Sequence, residues 1–221
     1  MIIILDSRFR NSLGAGVPFE CLFGVIAHAF SERYSEGCKG SKLKNRQLFS
    51  KNHIHVVNES VAMAEELVSE YYKMSASEWL RPKFDVKTRI DLSTDEIVPG
   101  PFAQVVRYEG RLKDAPLGSS HYDYYKICLQ DHEILAAINN FQQLELLPFT
   151  LYILTHELIH IVRFSKFLQS FNAKHEERMA EESRVHELTH KILRPVRIDG
   201  LAEVLDFYIQ WREPIDELET S

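Results

Sequence analysis

A chain of 221 residues, 45% hydrophobic and 26% charged, has the composition of an ordinary globular protein and enough length for one sizeable domain. Its formal charge of −6 argues against a general nucleic-acid binder, and no apolar run approaches the roughly 20 residues needed to cross a bilayer. Cys21, Cys38 and Cys128 form no CxxC pair, which indicates neither a disulfide framework nor a thiolate metal site, so the expected location is the cytoplasm.

The opening "MIIILDSRFRNS" lacks the basic start and long apolar stretch of a secretory leader and reads as a first buried strand. Residues 17–35 have helical spacing, with Pro18 near their start. Residues 36–53 hold five Lys/Arg and one Glu among glycines and serines, which predicts an exposed loop; no phosphate-loop pattern can be written there. "NESVAMAEELVSEYYKM" (58–74) reads as an amphipathic helix capped by Asn58. The period then changes. Segments 83–93, 102–112 and 122–130 show alternation, β-branched residues and aromatics, separated by turn-forming stretches, and read as strands of one small sheet. From Asp131 the pattern is helical over 131–146, 148–168, 174–193 and 200–211, with Asp131 as a cap and Pro148 in an opening turn. The fold class expected is α+β: a small, mainly antiparallel sheet packed on helices. One domain over 1–221 is expected, with a sheet-containing lobe over 1–130 and a helical lobe over 131–221.

Within the second of these helices lies His156-Glu157-Leu158-Ile159-His160. Residues four apart on a helix differ by about 40° around its axis, so both imidazoles project from one face and reach one tetrahedral zinc ion. Glu157, beside the first ligand, is placed to take a proton from water rather than to bind the metal. By composition such a pentad arises in roughly a few per cent of shuffled sequences. Its setting, "LYILTHELIHIV", is almost wholly apolar and implies burial, where imidazoles and a carboxylate need partners or a metal.

The pentad recurs as His186-Glu187-Leu188-Thr189-His190, between Arg184 and Lys191 on a helix with one wet face, and there it reads mostly as coincidence. Five of the ten histidines nevertheless fall between 156 and 190, which suggests that this helix supplies something to the first. A third ligand is the natural candidate. Glu177, Glu181 and Glu182 follow His160 by about 20 residues, enough for the chain to turn and return antiparallel. Val185, Leu188 and Ile192 define the inward face; Glu181 lies squarely on it, and Glu182 lies at its edge, aligned with His186 one turn on. The candidate metal set is therefore His156, His160 and Glu182 or Glu181, with His186 as an outer partner and Glu157 as the catalytic carboxylate.

"LTHELIHIV" followed by a Glu-bearing helix resembles the zincin superfamily of metalloproteases, in its gluzincin arrangement. The resemblance implies a zinc-dependent hydrolase acting on a peptide or protein substrate. It also implies zinc held by His156, His160 and the downstream Glu, with Glu157 as general base. Two departures stand beside it: Lys166 occupies the place of the third histidine of metzincins, and no clean Asn-Glu-x-x-x-Asp surrounds the downstream ligand. A rival of another class is a di-iron carboxylate helical bundle, built from Glu157-x-x-His160 and Glu187-x-x-His190 with Glu66 or Glu133. Its chain order is wrong, because a Glu-bearing helix should separate the two E-x-x-H helices. A zincin fold serving as a non-catalytic metal-binding or regulatory module is the third reading. For an oxyanion partner, His121, Tyr122, Tyr124 and Tyr208 qualify by residue type alone.

Overall fold

The computed structural model describes residues 47–79, 83–111, 121–170 and 174–209. The expected N-terminal strand, the helix at 17–35 and most of the basic segment 36–53 lie outside the described residues. In chain order the elements are α1 (Lys51–Tyr71), α2 (Ala76–Trp79), β1 (Lys83–Lys87), β2 (Ala103–Arg111), β3 (His121–Leu129), α3 (Asp131–Asn140), α4 (Leu146–Ser165), α5 (His175–Leu193) and α6 (Leu201–Phe207). Two short 3-10 turns, Arg89–Asp91 and Thr94–Glu96, join β1 to β2. The architecture is α+β, with six helices and one three-stranded sheet among the described residues. No helix among them is long and apolar enough to cross a membrane.

Helix α1 begins at Lys51 rather than at Asn58. Ser50 makes the cap: its Oγ accepts from the His53 N–H, and His53 Nδ1 accepts from the Ser50 N–H, both at 3.2 Å. Val57, Ser60, Ala64 and Val68 form the buried stripe that packs along α4. Ser60 would be an unsatisfied polar group in that seam, but its hydroxyl lies 2.7 Å from the Thr150 hydroxyl of α4.

The sheet order is β1-β3-β2. β2 pairs antiparallel with β3, placing Ala103 opposite Leu129 and Tyr108 opposite Tyr124, whereas β1 pairs parallel with β3, placing Phe84 opposite Tyr125. The sheet is thus mixed: its longer pairing, β2 with β3, is antiparallel as expected, and β1 departs from the expectation by joining parallel. Alternation reports which face a residue takes and carries no information on strand direction. Here β1 and β2 occupy opposite edges of β3, and the segment bearing the two 3-10 turns carries the chain from one edge to the other. That segment is pinned to the sheet by the Gln104 and Gln130 amides, each donating to the Glu96 carbonyl at 2.9 Å.

Asp131 is the first residue of α3 and does not act as its cap. Its buried carboxylate accepts the backbone N–H of Phe49 and of Arg89, each at 2.9 Å. One side chain therefore ties the approach to α1 and the turn after β1 to the start of α3.

Helix α4 is the axis of the fold. Every residue from Pro148 to Phe164 is buried, as expected for a helix that is apolar on most of its circumference. α1, α5, α6 and β2 pack around it. Tyr125 of β3 stacks on Phe164 at a centroid distance of 6.2 Å, and Phe102 meets Phe149 edge-on at 4.9 Å. At Gly200 the chain turns with φ +78°, and a Cβ there would lie 3.2 Å from Pro148 Cγ. A glycine thus lets α6 start tight against the first turn of α4.

Candidate metal centre

His156 and His160 stand one turn apart on α4, and Glu182 and His186 stand one turn apart on α5. Packing of α5 on α4 brings the four together in a buried cluster whose members are at most 5% exposed. Glu182 Oε1 lies 3.0 Å from His156 Nε2 and 3.3 Å from His186 Nε2; its Oε2 lies 3.3 Å from His160 Nε2. His156 Nε2 and His160 Nε2 are 3.1 Å apart. Ligands about 2.0–2.1 Å from a tetrahedral zinc ion sit about 3.3–3.4 Å from one another, and each separation is close to that, with the carboxylate meeting His156 and His186 through Oε1 and His160 through Oε2.

The chemistry of the donor set fits a cation. Neither oxygen of Glu182 receives a hydrogen bond of good geometry despite three imidazoles around it. A buried anion left in that state is costly unless a positive charge is shared with it. Burial alone would raise the Glu182 carboxyl, but His156, and after it His160 and His186, hold it well below the usual carboxylate range. Burial also drives the His156 imidazole down to about 3, leaving it neutral with a lone pair to offer. His160 is pushed down by burial and pulled back above its ordinary value by Glu182 and Glu157.

Each of two ring orientations is set from behind. His160 Nδ1 lies 3.3 Å from Gln169 Oε1, which can only accept, so Nδ1 carries the proton and Nε2 presents its lone pair to the cluster. His186 Nδ1 lies 2.8 Å from the Tyr152 hydroxyl. Neither Gln169 nor Tyr152 was identified from the sequence. Tyr152 had a usable signal, since 152, 156 and 160 share one face of α4 at four-residue spacing. Gln169, beyond the helix end, had none.

Glu157 is 3% exposed and its Oε1 has no hydrogen-bond partner. Burial, reinforced by the charge of Glu182, pushes its carboxyl up to about 8 against the opposing pull of His160.

Glu181 is turned to a different task. Arg163 of α4 grips it through two contacts, Nε to Oε1 and Nη2 to Oε2, the second at 3.0 Å. Of the two alternatives for the downstream carboxylate, Glu182 faces the histidines and Glu181 faces the guanidinium. The inward face of α5 runs through Glu181, Glu182, Val185, His186, Thr189 and Ile192, so Val185 and Ile192 mark it as expected, while Leu188 is only half-buried at its edge. His186 is a member of the cluster, in keeping with the partner role expected of it, while Glu187 is exposed and His190 half-buried, so the second pentad does not enter the site as a unit. Glu66 is exposed and Glu133 lies 3.5 Å from His132, so the carboxylates that a di-iron bundle would use are not assembled around the two E-x-x-H pairs. Glu177 and His175 are exposed.

Among the oxyanion candidates, Tyr208 is buried against the site. It stacks on Tyr152 at 3.9 Å and sits 5.7 Å from the His186 ring, and burial pushes its hydroxyl well above its ordinary value. Tyr124 lies on the sheet beside Tyr108, and the side chains of His121 and Tyr122 are outside the described residues. In comparisons with known proteins, no family model, curated protein or solved structure matches the chain.

Proposed function

We propose that the protein is a zinc-dependent metallohydrolase of zincin type, with a peptide or protein as its substrate. The observation that carries this reading is the meeting of His156, His160 and the Glu182 carboxylate at 3.0–3.3 Å within a buried cluster. Zinc bound there would act as a Lewis acid, polarising a substrate carbonyl and acidifying water. A cation bound beside it would draw the raised Glu157 carboxyl down into its ionised form, and Glu157 then takes the proton of the attacking water at Oε1 and returns it to the leaving amine. Gln169 keeps the His160 lone pair aimed at the metal position. The Arg163–Glu181 pair locks α5 against α4, holding Glu182 in register with the motif histidines.

The test is metal analysis of the purified chain together with an unbiased peptide-cleavage profile, with and without chelator. One zinc per chain and chelator-sensitive cleavage are expected. Two irons per chain would replace this reading by the di-iron one, and one zinc without cleavage of any peptide would reduce it to a metal-binding module.

A further inference from the structure

We infer that His186 is a fourth protein ligand of this centre, closing its coordination in the resting chain, so that hydrolysis requires His186 to leave. The inference rests on the metal-centre reading above and concerns how that site is regulated. A zinc site with three protein ligands keeps a position open for water, whereas four protein ligands close it.

By distance, His186 is no more remote than an accepted ligand. Its Nε2 stands 3.3 Å from Glu182 Oε1, the same separation that His160 Nε2 keeps from Glu182 Oε2. One donor atom from each of His156, Glu182 and His186 lies within 4.8 Å of the other two. The His186 ring is fully buried and tilted against His156 at a centroid distance of 4.4 Å.

His186 is also built like a ligand. A ligating imidazole characteristically has its remote nitrogen tied to a partner, and His186 Nδ1 is tied to Tyr152 as His160 Nδ1 is tied to Gln169. Tyr152 is itself fixed by near-parallel stacking on Tyr208, with 5° between the ring planes. The two ties differ in one chemical respect. The Gln169 oxygen can only accept, which commits His160 to ligation. The Tyr152 hydroxyl can accept or donate. When it accepts, His186 Nε2 has a free lone pair and coordinates; when it donates, Nε2 carries the hydrogen and lets go. His186 is therefore the ligand that can be released while His156, His160 and Glu182 keep the metal.

The experiment uses the full chain loaded with cobalt(II), whose visible bands report coordination, titrated with azide as a small anion that enters an open position. Wild type is expected to bind one cobalt with four-coordinate bands that azide does not shift. His186→Ala should retain one cobalt, bound about 100-fold more weakly, with bands that azide shifts. Tyr152→Phe, which leaves the His186 ring in place without its tie, should weaken cobalt about tenfold and gain partial azide sensitivity. It serves if His186→Ala does not fold. Azide shifting wild type as fully as His186→Ala would overturn the inference, as would a Tyr152→Phe spectrum and affinity identical to wild type. Failure of wild type to bind cobalt stoichiometrically would remove the metal reading itself, and this inference with it.

Discussion

Glu181 and Glu182 are adjacent in sequence, both buried, and separated by opposite consequences when each is changed to Gln. Glu182→Gln removes the anion from the histidine cluster. Structural zinc binding totals about 10–16 kcal/mol, so one donor among four accounts for about 3 kcal/mol, a roughly 100-fold loss of zinc affinity. Stability of the metal-free chain should fall little, about 1 kcal/mol at pH 8. The side chains left behind are imidazoles, which can rest neutral at small cost. Glu181→Gln orphans Arg163 instead. A guanidinium cannot deprotonate, and this pair is about 9% exposed on each side, so solvent does little to relieve it. Breaking a buried pair by removing one partner costs about 3–5 kcal/mol. Zinc stoichiometry should survive, because Glu181 faces away from the histidines. Two measurements decide it: zinc affinity by competition with a chromophoric chelator, and urea unfolding of the chelated protein. Retention of full zinc affinity in Glu182→Gln would refute the assignment. So would a Glu181→Gln chain that loses zinc while unfolding at the wild-type midpoint.

His156→Ala and His160→Ala should each abolish stoichiometric zinc, read by metal analysis after dialysis, whereas His190→Ala, half-buried and outside the cluster, should keep it. Glu157→Gln should retain zinc and lose about 10²–10⁴ in turnover of any peptide the wild type cleaves, since Gln keeps the shape but accepts no proton; loss of the metal would make Glu157 a ligand. Acid unfolding should show the loss of Glu96. Burial pushes its carboxyl up, yet bonds from Lys126, Tyr108 and Ser93 bring it to about 2. A carboxyl depressed in the folded state stabilises fully above its unfolded value near 4.5 and loses that contribution as pH falls towards 2, about 3 kcal/mol over that window. Urea midpoints from pH 5 to 2 should fall less steeply in Glu96→Gln than in wild type, and equal slopes would contradict it.

Helix α4 and the pairing of His156 with His160 were legible from the chain alone. Helical spacing, an apolar setting and a motif five residues long are local, and local geometry determines which side chains share a face. The strands over 102–112 and 122–130 were legible for the same reason, through their two-residue period. What the tertiary structure decided are matters of contact between distant segments. The direction of β1 depends on which edge of β3 it joins, and alternation is silent on that. The cap of α1 fell to Ser50 because the helix runs on to pack along α4, past the Asn58 that local preference favoured. On α5 Val185 and Ile192 marked the buried side, but Leu188 lies at its edge, because polar groups that gather in a cluster, here Glu182 and His186, take positions that hydrophobic patterning assigns to the core. Only the approach of Arg163 separated Glu181 from its neighbour, and only the convergence of two helices placed His186, expected as an outer partner, 3.3 Å from the Glu182 carboxylate.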